Sequence, residues 1–368
     1  MNCLFIELFK NIKRRPLLIS FLMCLIGISS LKSQDRLTRF NGFGHTEYSL
    51  VKKDSIDSYF SIGEHDFFVT SNLTKRISFL GEFVFRFNSN SATTFLPSIE
   101  RSFVRFNYKN NHSLIGGKIH TPVNYWNDVY HHGRVFFPVI ERPFAFSYMV
   151  PLHTLGLQLQ GQNLGALGWG YDLVLGNGIA STDAFQGGFS PSYTAAVHFK
   201  PINGMRIGAS FYYNKLDRNK SGAHIGHATA PGFDASNSYK GAVDFQLASA
   251  SFAWFGKRLE ILNEYGYNTS RTDSLGSAFN FSNFTYIGYR INDKNVPFIL
   301  LDYLKIADND LHVYPNEMLK FALGYRYEFN YLINAKIQAE HLWSQHDNHL
   351  IHSHLGTLGL RVQLAYGF

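Results

Sequence analysis

The sequence predicts an all-β fold: a transmembrane antiparallel up-and-down β-barrel of about 16 strands with a long third outer loop. Three observations lead to this prediction. Charged residues make up only 17% of the chain and aromatic residues 16%, whereas soluble domains usually carry about 25% charged residues. No apolar run of about 20 residues follows the N-terminal segment, which excludes a helical membrane protein. Apolar and polar residues alternate with period two along much of the chain.

Residues 1–33 are predicted to be a cleaved export signal, and residues 34–368 the barrel. The segment has a basic start, then an apolar stretch from Leu17 to Ile28, then small residues near Ser33. The basic residues are Lys10, Lys13, Arg14 and Arg15. The alternative is a retained membrane anchor, which small polar residues directly after the apolar run disfavour. N-terminal sequencing of the membrane-extracted protein should begin near Gln34, and finding Met1 retained would contradict the prediction.

Removal of this signal changes the chemistry of the mature chain. Both cysteines, Cys3 and Cys24, lie in the signal, so the barrel has to be stable without disulfides. The signal also takes away five basic residues and one acidic residue, which lowers the formal net charge from +7 to +3. The high isoelectric point therefore belongs in part to the signal. No basic stripe with interleaved aromatic residues follows, so no nucleic-acid partner is predicted.

The strands are predicted from the period-two pattern. In the last segment, Leu358, Leu360, Val362 and Leu364 alternate with polar or small residues such as Arg361. A wall between lipid and water needs one apolar and one polar face. Predicted strands begin near residues 38, 57, 75, 99, 112, 152, 166, 192, 204, 240, 258, 279, 296, 317, 333 and 355.

The links between these strands alternate between short turns and long loops. Membrane barrels place short turns at the periplasmic end and long loops at the outer end. An even number of strands then places both termini on the periplasmic side. The count is ambiguous by two because the strands near 57–71, 279–291 and 296–305 have an unclear alternation.

The chain resembles a Gram-negative outer-membrane porin in its signal, its hairpin rhythm, its long third outer loop and its aromatic C-terminus. The terminal residues Leu360 to Phe368 resemble the signal that the barrel-assembly machinery recognises in its clients. The resemblance covers residues 34–368 and points to no specific subfamily. It implies an outer-membrane location, contact with membrane lipid, passive diffusion of small hydrophilic solutes or anions, and assembly as a homotrimer.

The third outer loop, residues 121–151, is the longest and is unusually apolar at Val135–Ile140. An apolar segment exposed to water is unfavourable, so the loop is expected to pack against something. The resemblance implies that it folds into the lumen and narrows the pore. The predicted constriction residues are Asp128, His131, His132, Arg134, Glu141 and Arg142. The alternative is an outer loop packed on neighbouring loops or on a sister subunit.

The lumen wall opposite this loop is expected to be basic and to prefer anions weakly. Its predicted residues are Glu82, Arg86, Arg101, Arg105, Lys118 and His120. The alternative is that these charges only solvate one another. Elsewhere the predicted lumen charges are mixed: Arg206, Lys320, Arg326, Lys336 and Arg361 against Asp172, Asp244, Glu260, Glu264, Asp302 and Glu340.

Other chemistry receives less support from the sequence. The last outer loop contains His341, His346, His349, His352 and His354, which are candidate zinc or copper ligands, but their irregular spacing favours a polar surface loop. No catalytic motif such as Gly-x-Ser-x-Gly or His-Glu-x-x-His is found. We therefore expect a pore without cofactor or bound metal, and not an enzyme. The alternatives are a barrel with hydrolase activity or one with a structural or adhesive role.

Overall fold

The computed structural model describes residues 37–52, 55–87, 95–131, 133–179, 191–217, 242–273, 276–310, 316–344 and 356–368. Within these ranges the chain forms seventeen strands. They are β1 (Thr38–Lys52), β2 (Ile56–Ser61), β3 (Glu64–Asn72), β4 (Ile77–Phe87), β5 (Phe95–Lys109), β6 (His112–His120), β7 (His153–Leu164), β8 (Trp169–Asn177), β9 (Pro191–Phe199), β10 (Met205–Asp217), β11 (Ala242–Phe255), β12 (Leu259–Thr272), β13 (Gly276–Tyr289), β14 (Asn295–Ile306), β15 (Asn316–Asn330), β16 (Ile333–Ser344) and β17 (Thr357–Gly367).

Each strand from β3 onward pairs antiparallel with the next, and β17 pairs with β1, so the sheet closes. Two strands pair with β1 on its other side. Strand β3 pairs with the first half of β1, and β2 pairs with the second half. The register shifts by one residue between Glu47–Ser61 and Gly44–His65. Strands β2 and β3 therefore occupy a single strand position in the barrel, which is interrupted at Ile62 and Gly63. Among the described residues the barrel has sixteen strand positions, which confirms the predicted fold class.

The lengths of the links alternate as the sequence predicts. Links of two to five residues join β3 to β4, β5 to β6, β7 to β8, β9 to β10, β11 to β12, β13 to β14 and β15 to β16. Thr38 pairs with Ser71 beside the first of these turns, and the last residues of β17 reach the turn at Leu332. Both ends of the barrel chain thus lie at the short-turn end.

The alternation of side chains follows the predicted faces. Leu360 and Val362 are about 40% exposed, whereas Arg361 between them is buried. Phe83 and Phe85 face outward, whereas Glu82 and Val84 are buried. All but one of the further predicted lumen charges lie on the inward face.

Asp244 is the exception, and the prediction that it faces the lumen is wrong. It pairs in register with Lys215 and accepts a hydrogen bond from the Tyr213 hydroxyl. Its neighbours Val243 and Phe245 are fully buried instead. The pairing of β11 with β10 and β12 is regular. Its apolar residues Val243, Phe245 and Leu247 face inward, where they join a buried apolar cluster, so the rule of a polar inner face does not hold for this strand.

Three short helical turns lie in the link between β6 and β7. They are a π-helical turn at Trp126–Tyr130, a 3₁₀ turn at Arg134–Phe136 and an α-helical turn at Phe144–Tyr148. None of the helices in the described part of the chain has the length and apolar character to cross a membrane.

Candidate functional site: a loop folded into the barrel

The link between β6 and β7, which we call the inner loop (residues 121–152), lies inside the barrel. Its backbone carbonyls accept hydrogen bonds from inward side chains of the wall. Arg326 donates to the carbonyl of Pro138 at 3.1 Å, and Lys336 donates to the carbonyl of Arg134 at 2.6 Å. Irregular backbone at membrane depth is tolerated where protein groups satisfy it. Strands β15 and β16 supply those groups here.

Buried carboxylates of the wall accept hydrogen bonds from the backbone amides of the inner loop. The amide of Trp126 donates to Glu264 and that of Phe144 donates to Asp302, each at 2.8 Å. Both carboxylates are almost completely buried. Since buried polar groups need partners, these two contacts tie both halves of the inner loop to β12 and β14.

The apolar side of the inner loop packs against the same wall. Trp126 is fully buried, with its ring 5.2 Å from Phe284 of β13 and 5.0 Å from Phe137 of the loop. Val139 and Ile140 are also fully buried. Phe137 and Val139 of the apolar run that the sequence placed in this loop belong to one buried cluster with side chains of β10 to β16. Phe136 is the exception and remains about half exposed.

Ion pairs fix the loop at three further points. Glu141 pairs with Lys320 of β15 and with Arg361 of β17, the latter at 3.1 Å. Arg142 pairs with Glu64 of β3 at 2.7 Å.

Two other predicted constriction residues also face wall charges. Asp128 pairs with Arg206 of β10, and Arg134 lies 3.8 Å from Glu64. The structure therefore places Asp128, Arg134, Glu141 and Arg142 on the lumen side of the barrel. His132, which was predicted with them, lies outside the described residues.

The opposite wall carries paired charges instead of a basic surface. Arg101 pairs with Glu82, and Arg86 pairs with Glu100 at 2.6 Å and with Glu64 at 3.4 Å. Arg105 is half-buried on the inward face and forms no ion pair among the described residues. Acids therefore balance most of the arginines that the sequence predicted to dominate.

The pattern missed Glu100 because of a β-bulge. The register between β4 and β5 shifts between Glu82–Arg101 and Phe83–Ile99, so Glu100 is an extra residue in β5. A bulge inserts one residue and changes the facing of those that follow. Glu100 and Arg101, which are consecutive, thus both form ion pairs on the lumen side. A strict alternation of inward and outward side chains would place only one of them there.

Lys118 marks the point where β6 leaves the wall. It pairs with Ser102, the last pair between β5 and β6, and Ser102 is exposed on the outer side. Pairing between β6 and β7 continues to His120–His153, beyond their neighbours. The end of this hairpin then enters the barrel. Lys118 is in the outward register of β6, so it does not belong to the lumen wall where the sequence placed it.

Three histidines meet where the inner loop joins this hairpin. The rings of His120 and His131 are stacked with centroids 3.5 Å apart, and His153 lies 4.8 Å from His131. Sequence reasoning singled out His120 and His131 for other reasons and missed His153. No sequence spacing signals the cluster, because its members come from β6, the inner loop and β7.

Cavities separate the inner loop from the short-turn end of the barrel. One, of about 580 Å³, is lined by Glu82, Arg101, His120, His131 and Asp128 among others. A second, of about 560 Å³, is lined by Asp128, Arg206 and the turn at Lys200–Gly204. Asp128 and Val129 line both cavities, so this part of the loop divides the space beneath it.

No protein-family model matches the sequence, and no curated protein matches it. Solved structures do. The anion-selective porin from Comamonas acidovorans has a TM-score of 0.63 and 11% identity, covering 91% of this chain and 100% of that chain. OmpT of Vibrio cholerae (in-vitro folded, trimer form), an outer membrane protein, has a TM-score of 0.60 and 12% identity, with coverages of 91% and 100%.

The outer membrane channel DcaP of Acinetobacter baumannii gives a TM-score of 0.58 at 10% identity, with 92% of this chain and 99% of that chain covered. Each match covers almost the whole of this chain and almost the whole of the matched chain. At such low identities they establish the fold, which is that of outer-membrane porins. The expected resemblance is therefore confirmed at the level of the fold.

Proposed function

We propose that the chain is an outer-membrane porin that allows passive diffusion of small hydrophilic solutes. Barrels with short turns at one end, an outward apolar face and a polar interior are characteristic of bacterial outer membranes. The observation that carries the proposal is the inner loop. Its apolar side joins a buried cluster with side chains of β10 to β16, and charged residues line the cavities beside it.

The predicted constriction residues take two different roles in this proposal. Asp128 is more than a quarter exposed and lines both large cavities, so it contacts passing solute together with Arg206 and Arg101. Glu141, Arg142 and Arg134 are less exposed and pair with wall residues. These three residues position the inner loop. Their charges influence the solute only indirectly, because they determine where the loop lies.

We further propose a weak preference for anions. Most lumen charges are paired, and paired charges leave little net field. Arg105 is a partly exposed inward cation without an ion pair among the described residues. Lys336 also lacks one but is almost completely buried, as are the unpaired acids Asp172, Glu264 and Asp302. Charges in a narrow aqueous pore set its ion selectivity. Reversal potentials in a salt gradient should show a small anion preference, which Arg105→Ala abolishes. A clear cation preference in the parent protein would contradict this.

Single-channel recording in a planar lipid bilayer tests the main proposal. The purified barrel should give discrete, long-lived conductance steps, because cavities of about 560 and 580 Å³ remain beside the inner loop. A folded, inserted barrel without steps would favour the structural or adhesive role instead. An esterase screen on the same preparation addresses the hydrolase alternative.

We also propose that the chain forms a homotrimer, and the trimer form of OmpT, which has the same fold, supports this. Native electrophoresis and cross-linking of the detergent-extracted protein would measure the number of subunits. A monomer in both experiments would contradict the trimer but not the channel.

A further inference from the structure

We propose that His120, His131 and His153 form a binding site for a divalent transition metal of the zinc class, which joins the inner loop to the hairpin that carries it. One ligand nitrogen from each ring can be chosen so that all three lie within 4.8 Å of one another. Neutral imidazole is a favoured ligand of zinc, copper and nickel ions. The three residues are buried or nearly so.

The elements that carry the histidines hold them at fixed positions. His120 ends β6, His153 begins β7, and the two are paired in register. His131 follows the π-helical turn of the inner loop, and its amide donates to the carbonyl of Trp126 at 2.8 Å. Zinc–nitrogen bonds of about 2.0–2.1 Å in a tetrahedral site put ligand nitrogens roughly 3.3 Å apart. The nitrogens lie within 4.8 Å of one another here, so binding requires the side chains to turn and the stack of His120 on His131 to open.

A hydrogen-bond chain orients the ring of His131 for metal binding. The Asn127 side-chain amide donates to the carbonyls of Thr121 at 2.7 Å and Leu152 at 3.2 Å. Its oxygen therefore faces Nδ1 of His131 at 2.6 Å and accepts a hydrogen bond from it. The proton then lies on Nδ1, and Nε2 presents its lone pair. Metal-binding histidines are usually held by such an acceptor on their second nitrogen.

Two buried carboxylates, each paired with an arginine of the lumen wall, flank the histidines. Oε2 of Glu100 lies 2.8 Å from Nε2 of His153, and Oε2 of Glu82 lies 3.7 Å from Nε2 of His120. Either carboxylate can act as a fourth ligand or hold a ligand ring in place. Arg86 and Arg101 orient them through the ion pairs of the lumen wall.

A cation has a route to the site from the lumen. His120, His131 and Glu82 line the cavity of about 580 Å³ at the short-turn end. A metal site needs such an entry path as well as suitable ligands. Bound metal would tie the middle of the inner loop to its stem, so it would also reduce the freedom of Asp128 beside the passage.

Binding is tested on the tag-free, detergent-folded barrel with Co²⁺, whose visible absorption reports its ligands. The parent should bind one Co²⁺ per barrel, and Zn²⁺ should displace it. His131→Ala and His153→Ala should each weaken binding at least tenfold, whereas His198→Ala, a lumen histidine outside the cluster, should leave affinity within about twofold. Equal binding by parent and cluster variants, or no binding by the folded parent, would overturn the proposal.

The histidines of the last outer loop are a second source of binding that the same experiment separates. A variant with His346, His349, His352 and His354 all changed to Ala should keep the Co²⁺ spectrum of the parent. If that variant loses the spectrum and the cluster variants keep it, the metal belongs to the outer loop and our assignment is wrong. Heat-modifiable migration on gels verifies that each variant is folded.

The effect of the metal on transport rests on the proposed function and is measured separately. Zn²⁺ should lower single-channel conductance roughly twofold, because the loop carries a new charge and less freedom in a narrow space. EDTA should restore the conductance, and His131→Ala should be insensitive. Co²⁺ binding without a conducting parent would refute the porin and leave the metal site standing. An unchanged parent conductance despite binding would refute the link between them.

Discussion

Glu141 connects the inner loop to two strands at once. It pairs with Lys320 of β15 and Arg361 of β17, and Arg361 also pairs with Glu47 and Glu340. Removing one partner from a buried ion pair is costly, because the other charge is left in a medium that solvates it poorly. The side-chain charges thus determine where the loop is held.

The substitution Glu141→Gln should destabilise the protein by about 2 kcal/mol or more, since Lys320 and Arg361 lose a buried anionic partner. The matched control is Glu317→Gln, whose pair with Lys305 is largely solvent-exposed and should cost about 0.5 kcal/mol or less. Urea unfolding followed by tryptophan fluorescence measures both free energies. Equal effects of the two substitutions would argue that Glu141 does not anchor the loop.

At the scale of elements, the hairpin of β6 and β7 brings the inner loop into the barrel. Its strands separate from their neighbours near Gly117 and Gly156, which pair with each other. A Cβ at Gly117 would lie 2.2 Å from the carbonyl oxygen of Ser102, and one at Gly156 would lie 2.3 Å from that of Leu175. Glycine alone allows this close approach of backbones.

Gly117→Ala should therefore destabilise the barrel by about 2–3 kcal/mol, because its φ of 135° and the contact with Ser102 both exclude a side chain. Gly116→Ala is the matched control. Its nearest contact would be the flexible side chain of Leu157 at 3.3 Å, so a change of about 1 kcal/mol or less is expected. The folded fraction on a heat-modifiability gel, measured against urea, compares the two variants. A similar loss in both would contradict the role of the bend.

Shortening residues 127–144 to a brief Gly/Ser link should raise single-channel conductance several-fold and weaken ion selectivity. A sixteen-stranded wall leaves a wide channel unless something fills it. The same change removes Phe137 and Val139 from the buried apolar cluster, so stability should fall as well. Far-UV circular dichroism and gel migration verify that the strands remain. Parent conductance and selectivity in a folded variant would place the loop outside the conducting path.

At the scale of the whole molecule, the barrel depends on the seam between β1 and β17. Ten residue pairs join the two strands, and Phe368 extends the seam by exchanging backbone hydrogen bonds with Gly42 at 2.9 and 3.0 Å. The Phe368 ring stays mostly exposed beside Phe67 of β3. Closure leaves no open edge there, which is the condition for a sheet in lipid.

Deleting Phe368 should lower the amount of folded, heat-modifiable protein in the outer membrane. The deletion removes the two seam hydrogen bonds and the terminal aromatic residue of the expected assembly signal. Phe329→Ala is the control, since Phe329 is also an exposed aromatic residue and lies near another short turn. The control should assemble at the level of the parent. Unchanged assembly after the deletion would contradict the expectation.

The sequence by itself determined the class of fold, the rhythm of short and long links and the facing of most strands. These features are local, because each strand repeats its pattern every two residues whatever its neighbours are. The same logic failed at Glu100 and Asp244. A bulge in β5 changes the facing at Glu100, and β11 turns its apolar face inward against the buried cluster, so a strict rule of polar residues inside fails at both places.

Only the tertiary structure decided what the inner loop contacts. Its partners Glu64, Lys320 and Arg361 are on strands far apart in the chain, and closure of the barrel brings them to one lumen. The histidine cluster has the same origin, since His131 reaches His120 and His153 only after the loop has turned back on its own stem. Such sites depend on contacts between residues that are far apart in the chain. The periodicity of a sequence reports the pattern within each segment and not which distant segments meet.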